Sequence, residues 1–160
     1  KYEVTQEQWE AVMGNNPSYF KGCQNCPVEN VSYDEVQLFF ERLNALTGKT
    51  FRLPIEAEWQ LAARSEFDGD GAFAGSEFLS DVAWYKENSD GKPHPVGQKM
   101  ENGYGIFDMS GNVYEWCEVN VRGGSWESEM ESCYIDSRVD TRVDNISGAR
   151  NSHIGFRIAR

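Results

Sequence analysis

Apolar positions follow a helical period through the first half of the chain and lose it afterwards. Thr5 and Gln8 have the spacing of a capping box, in which the hydroxyl accepts from the third helical amide and the Gln side chain reaches back. Trp9, Val12 and Met13 then share one face, and Gly14 stands where a left-handed stop belongs. Residues 15–27 carry no period and read as a loop. Ser32 and Glu35 form a second capping box, and Val36, Phe39, Phe40 and Leu43 fall at i, i+3, i+4 and i+7. This predicts an amphipathic helix ending near Gly48. Residues 51–53 read as a short extended piece. Pro54 opens a third helix, with Ile55, Trp59, Ala62 and Ala63 facing inward.

From Asp68 onward Gly, Asn, Asp and Ser recur every few residues, and the apolar runs shrink to residues 82–85, 106–107, 113–116 and 154–158. Runs this short suit brief strands between turns. Helices first and strands later predict an α+β fold, with helices packed on short, irregular antiparallel strands. No repeat of 20 to 50 residues is present.

The length of 160 residues fits one domain, residues 1–160. Asp and Glu outnumber Lys and Arg by 26 to 15, a net charge of −11. A nucleic acid or an anionic membrane surface would repel such a chain, so both are excluded as partners of a basic face. No apolar stretch approaches the roughly 20 residues of a membrane span, which argues against membrane insertion. Five Trp, seven Tyr and nine Phe supply the burial that a disordered chain lacks. Cys23 and Cys26 form a CxxC, but no second CxxC and no His pair at metal spacing accompanies it. That leaves a local disulfide, or two thiols, stapling a surface loop. His94 and His153 are the only histidines, and neither has a recognisable serine and acid partner for a hydrolase triad.

Six segments in order resemble the formylglycine-generating enzyme, or sulfatase-modifying factor, family. They are YEVT at 2–5 with Trp9, PVENVS at 27–32, RLPIEAEW at 52–59, NGYGIFDMSGNVYEW at 102–116, RGGSW at 122–126 and GFR at 155–157. The resemblance implies a variant of the C-type lectin fold. Against the family pattern, Ile55 replaces a Thr, the chain is N-terminally short, and only five residues separate Trp116 from Arg122.

Catalytic members of that family oxidise a sulfatase cysteine to formylglycine, using two cysteines, five apart, that bind copper. Those positions fall on Ser128 and Cys133. Soft thiolates select Cu(I), and a serine hydroxyl is a hard donor with no accessible anion near neutral pH. The resemblance therefore implies a non-oxidase member that does not use copper. The alternative is a copper- and oxygen-dependent oxidase working with Cys133 alone, and a third reading is a structural accessory domain. The family's calcium site maps onto Asp108, Gly111, Val113 and Glu115, which would give two carboxylates and two carbonyls. The same residues could instead cap turns around Asn112.

The segment after Trp126 resembles the variable face of lectin-fold proteins diversified by retroelements, in which a rigid sheet displays exchangeable side chains. Tyr, Ser, Asn and Asp suit such an adaptable face, although Glu127, Glu129 and Glu131 do not fit the diversified pattern. An ordinary solvated sheet is the alternative. The expected ligand-binding residues are Trp126, Tyr134, Asp136, Asp140, Asp144 and Asn145, and the expected ligand is a protein or a glycan. Arg138, Arg142 and Arg157 are expected to lock this segment onto the helical half. A bacterial, monomeric protein of the cell surface or periplasm is the reading that follows.

Overall fold

In a computed structural model, residues 1–65, 71–137 and 148–160 are described. The chain forms α1 (Gln6–Met13), α2 (Tyr33–Thr47), α3 (Glu56–Arg64) and the short α4 (Leu79–Val82). Strands β1 (Tyr114–Trp116), β2 (Val121–Arg122) and β3 (Ile154–Phe156) follow, with a 3-10 turn over Met130–Cys133 between the last two. Both predicted capping boxes form: Thr5 Oγ1 accepts from Gln8 N, and Ser32 Oγ from Glu35 N. Gly14 and Gly48 end their helices in the left-handed region.

The sheet has the order β2-β1-β3. β1 pairs β2 antiparallel, with Glu115 opposite Arg122, and Cys117 N donates to Asn120 O (2.7 Å) in the tight turn between them. β1 and β3 run parallel, Tyr114 against Ile154 and Trp116 against Phe156. The antiparallel expectation therefore holds for one pairing and fails for the other. A parallel pairing leaves its partners far apart in sequence, so no hairpin signal announces it. Isolated bridges between Glu3 and Arg157, Thr5 and Pro27, and Arg52 and Ala159 extend the sheet towards the helices.

Two further expectations are corrected. Residues 82–85 are not a strand: Leu79 and Val82 lie three apart on α4 and both enter the core. Ile55 does not face inward but precedes α3 as its cap, 41% exposed, and its N–H donates to Glu58 Oε2 (3.1 Å). Residues 106–107 form no strand either.

The main core joins α1 and α2 to the sheet through Val4, Trp9, Val36, Phe39, Phe40, Trp116, Ile154 and Phe156. Trp9 stacks on Phe39 at 5.3 Å, and Phe156 meets the Phe39 and Phe40 rings edge-on. Each buried Phe contributes roughly 1.5–3 kcal/mol of transfer free energy. β3 lies so close to the PVENVS segment that a Cβ at Gly155 would meet Val28 O at 2.4 Å. A second cluster gathers Trp59, Ala63, Ala74, Met109, Cys117 and Ile135. A third gathers Phe73, Leu79, Val82, Ala83, Tyr85 and Cys133. These two hold the signature loops against α3 and α4. No described helix is long and apolar enough to cross a membrane.

Candidate functional site

The loop that leaves β2 is shaped by Gly123 (φ 96°) and Gly124 (φ 78°). A Cβ on Gly124 would lie 2.6 Å from Cys133 Sγ and 3.0 Å from Cys133 Cα. Only glycine allows both that approach and that backbone. The turn places Ser125 and Ser128 together. Ser125 N donates to Ser128 Oγ (2.9 Å), the two hydroxyls lie 3.1 Å apart, and Ser128 Oγ donates to Tyr114 Oη (3.2 Å). Ser128 is thus a buried turn residue whose hydroxyl already has its partners. Cys133 is fully buried in the third cluster, and burial pushes its thiol up to about 12. Burial disfavours a thiolate at Cys133, and Ser128 has no thiol to give.

Outside this hydroxyl pair lies an aromatic face. Trp126 is half-buried, and its indole N–H donates to Ser152 O (3.2 Å). Its ring meets Phe20 edge-on at 5.3 Å, and Phe20 in turn meets the exposed Tyr19. Tyr114 meets His153 at 5.9 Å, and His153 Nδ1 lies 2.8 Å from Glu127 Oε1. Sequence reasoning missed Tyr19, Phe20, Tyr114 and His153 as members of this face. They come from three separate segments, and only Tyr114 sits inside a recognised motif. The hydrogen bonds of Ser128 run to Ser125 and Tyr114, and the acid dyad of His153 runs to Glu127, so the constellation contains no serine–histidine relay.

Tyr134 and Asp136 have different neighbours. Tyr134 packs on Phe73 at 5.1 Å, and Asp136 pairs with Arg64 and accepts from Gln60 Nε2 on α3. Asp140, Asp144 and Asn145, together with Arg138 and Arg142, lie outside the described residues.

The residues expected to bind calcium surround a buried node. Glu115 is fully buried, and both its oxygens are taken: Oε1 by Arg157 Nη2 (2.5 Å), Oε2 by Arg157 Nε (2.6 Å) and Trp59 Nε1 (2.6 Å). Arg157 also donates to the carbonyls of Phe107 and Asp108. Asp108 Oδ2 accepts from Gly97 N (2.7 Å), and Glu3 accepts from Asn112 Nδ2 and Val113 N. Burial, with the charge of Glu115 adding, raises the Asp108 carboxyl to about 6, against the opposing pull of the Gly97 amide and Arg157. Burial and the neighbouring charges of Asp108 and Glu115 raise Glu3 well above the ordinary range. A guanidinium thus sits against both oxygens of Glu115, one of the two carboxylates that calcium would need. Of the three arginines singled out in the sequence, Arg157 is buried and paired as expected. Arg122, not singled out there, is equally buried; it pairs with Glu56 and donates to Ser137 O (2.7 Å).

A family profile described as "Sulfatase-modifying factor enzyme 1-like domain" matches residues 1–160. The chain belongs to the sulfatase-modifying factor family. "Chaperone protein LppX" of Paenibacillus barcinonensis is 35% identical over 211 aligned positions, covering 98% of this chain and 71% of that protein. "Inactive C-alpha-formylglycine-generating enzyme 2" of Bos taurus is 30% identical, covering 83% of this chain and half (50%) of that protein. Among solved structures, "Treponema denticola variable protein 1" superposes with a TM-score of 0.89 at 30% identity, covering 98% of this chain and 83% of that one. These likenesses support the α+β, formylglycine-generating enzyme-like fold read from the sequence.

Proposed function

We propose that this member of the sulfatase-modifying factor family is a non-oxidase binding module, with Trp126 at the centre of its ligand face. The observation that carries the reading is the pair of residues at the copper positions. Ser128 is a hydrogen-bonded hydroxyl and Cys133 a buried, protonated thiol, so the two soft anions a Cu(I) site requires are missing. The likeness to an inactive formylglycine-generating enzyme and to a variable protein supports the same direction. The face offers rings with polar tips (Trp126, Tyr114, His153) beside the more apolar Phe20, a composition suited to rigid, amphipathic contact. The name of the chaperone relative favours a protein over a glycan as ligand. The Cys23–Cys26 disulfide suits an oxidising compartment, the cell surface or periplasm.

The test is a Cu(I) titration of the purified chain followed by incubation in air with a sulfatase-derived cysteine peptide, read by mass spectrometry. The expected result is no formylglycine above a Cys133→Ala control. Formylglycine formed well above that control would restore the oxidase and remove this reading. Peptide and glycan arrays probed with the parent and with Trp126→Ala then separate the two ligand classes, with binding lost in the variant.

A further inference from the structure

The four cysteines divide sharply by surroundings. Cys117 and Cys133 are free and fully buried. Cys23 and Cys26 are joined, with Cys26 buried and Cys23 half-exposed, so the bond is approached more readily from the Cys23 side. Their bond lines a surface cavity of about 250 Å³ whose walls include Phe20, Lys21, Lys92 and His94. Two ammonium groups and no carboxylate line that cavity, in a chain whose net charge is −11.

The backbone of the CxxC is held independently of its sulfurs. Cys23 O accepts from Cys26 N (3.1 Å), Gln24 O from Glu7 N (3.1 Å), Asn25 O from Val96 N (3.0 Å) and Cys26 O from Gln6 N (3.0 Å). Gln6 and Glu7 open α1, so the loop rests on the positive end of that helix. None of these bonds needs the sulfur–sulfur bond. Two thiols in this loop would stay within reach of each other, as a reversible redox pair requires.

We propose that Cys23–Cys26 is a thiol–disulfide exchange site that accepts two electrons from a protein dithiol. A thiolate of the partner attacks Cys23 Sγ, forms a mixed disulfide and expels Cys26 as a thiolate. Lys21 and Lys92, which line the same cavity, stabilise that leaving thiolate, and a leaving thiol of lower pKa departs faster. The partner's second thiolate then attacks its own sulfur in the mixed disulfide and releases Cys23. The partner ends as a disulfide, the chain as a dithiol that has taken up the partner's two protons, and no other reactant is needed. Phe20 borders both this cavity and the ligand face, but the exchange uses the two sulfurs and the lysines and does not depend on ligand binding.

The test mixes the oxidised full chain with a short synthetic peptide carrying two reduced cysteines. Peptide oxidation is read by mass, and the fold by far-UV circular dichroism and thermal melting. Oxidation of the peptide in step with reduction of Cys23–Cys26, by a chain that stays folded, is the expected result. Lys21→Ala/Lys92→Ala should slow it several-fold, and Cys26→Ser offered the oxidised peptide should trap a mixed disulfide on Cys23. No oxidation above a Cys23→Ser/Cys26→Ser control would overturn the assignment. So would reduction that occurs only as the chain unfolds, which would make the bond a structural staple. A rate indifferent to the lysine substitutions would overturn it as well. Should the cysteine variants fail to fold, alkylation mapping of the parent after partial reduction by the same peptide decides between the same outcomes, because Cys117 and Cys133 stay protected.

Discussion

Glu115 stands in a signature segment of the family and Ser128 two residues beyond another, one in each of two polar centres with opposite designs. Glu115 is a buried charge whose every oxygen is matched, by Arg157 and the Trp59 indole. Ser128 belongs to a neutral hydroxyl pair beneath a half-exposed aromatic face. In the first centre a guanidinium supplied by the chain neutralises the buried carboxylate. In the second a serine hydroxyl, Ser128, hydrogen-bonds to Ser125 and Tyr114. The comparison teaches that a charged centre is held by its counter-charge, while a neutral one is held by hydrogen bonds among hydroxyls. A buried carboxylate must be compensated by a counter-charge whatever the function, whereas a buried hydroxyl needs only the neutral partners that Ser125 and Tyr114 supply.

The severest way to break this contrast is to remove Arg157. Arg157→Ala would leave Glu115 buried without its cation, beside Glu3 and Asp108, and should cost about 3–5 kcal/mol in urea unfolding. Calcium sharpens the result. The parent should melt at the same temperature with calcium or with chelator, because Arg157 already neutralises Glu115. In the variant the vacated oxygens are available, and calcium should recover part of the loss by binding the native state alone. A parent whose melting temperature rises with calcium and falls with chelator would show that the ion displaces the guanidinium.

A smaller effect follows from Asp108 and Glu3. Their carboxyls are raised in the native state, Asp108 to about 6, so between its unfolded value near 3.8 and 6 the native chain binds more protons than the unfolded one. Stability therefore falls as pH rises through that window. Taking the protein from pH 7 to pH 5 should add about 1 kcal/mol through Asp108, with Glu3 acting in the same direction. Asp108→Asn keeps an acceptor for the Gly97 amide and should remove the Asp108 share of that gain, as urea midpoints at the two pH values would show. A variant with the same pH response as the parent would mean that the proton is held elsewhere in the node.

What the sequence discloses and what it hides divide along the range of the interactions. The helices are legible because Thr5 with Gln8 and Ser32 with Glu35 signal over three residues. The parallel partner of β1 is not, because Tyr114 and Ile154 pair across a long stretch of chain with no local mark. The Glu115 carboxylate is visible as an acceptor, but the guanidinium that pairs with it belongs to Arg157, 42 positions away. The serine at the first expected copper position can be read directly, since it turns on the identity of Ser128 alone. The aromatic face is mostly hidden for the same reason of range: Phe20, Tyr114, Trp126 and His153 meet only in the fold, and of these Trp126 alone carries a local signal for binding.

The smallest expected effect separates display from support within the segment after Trp126. Asp136 has the composition of a displayed residue, yet its carboxylate reaches α3, where it pairs with Arg64 and accepts from Gln60. Both partners of the ion pair remain substantially solvated, with side chains 43% and 65% exposed, so solvent screens most of the attraction. Exposed pairs of this kind contribute roughly 0.2–1 kcal/mol, and Asp136→Ala should stay inside that range. High salt should shrink the difference from the parent further. Because α3 already engages the Asp136 carboxylate, the same variant should keep the ligand that Trp126→Ala loses. A variant of unchanged melting temperature that nevertheless loses the ligand would put Asp136 on the binding face and extend that face across α3.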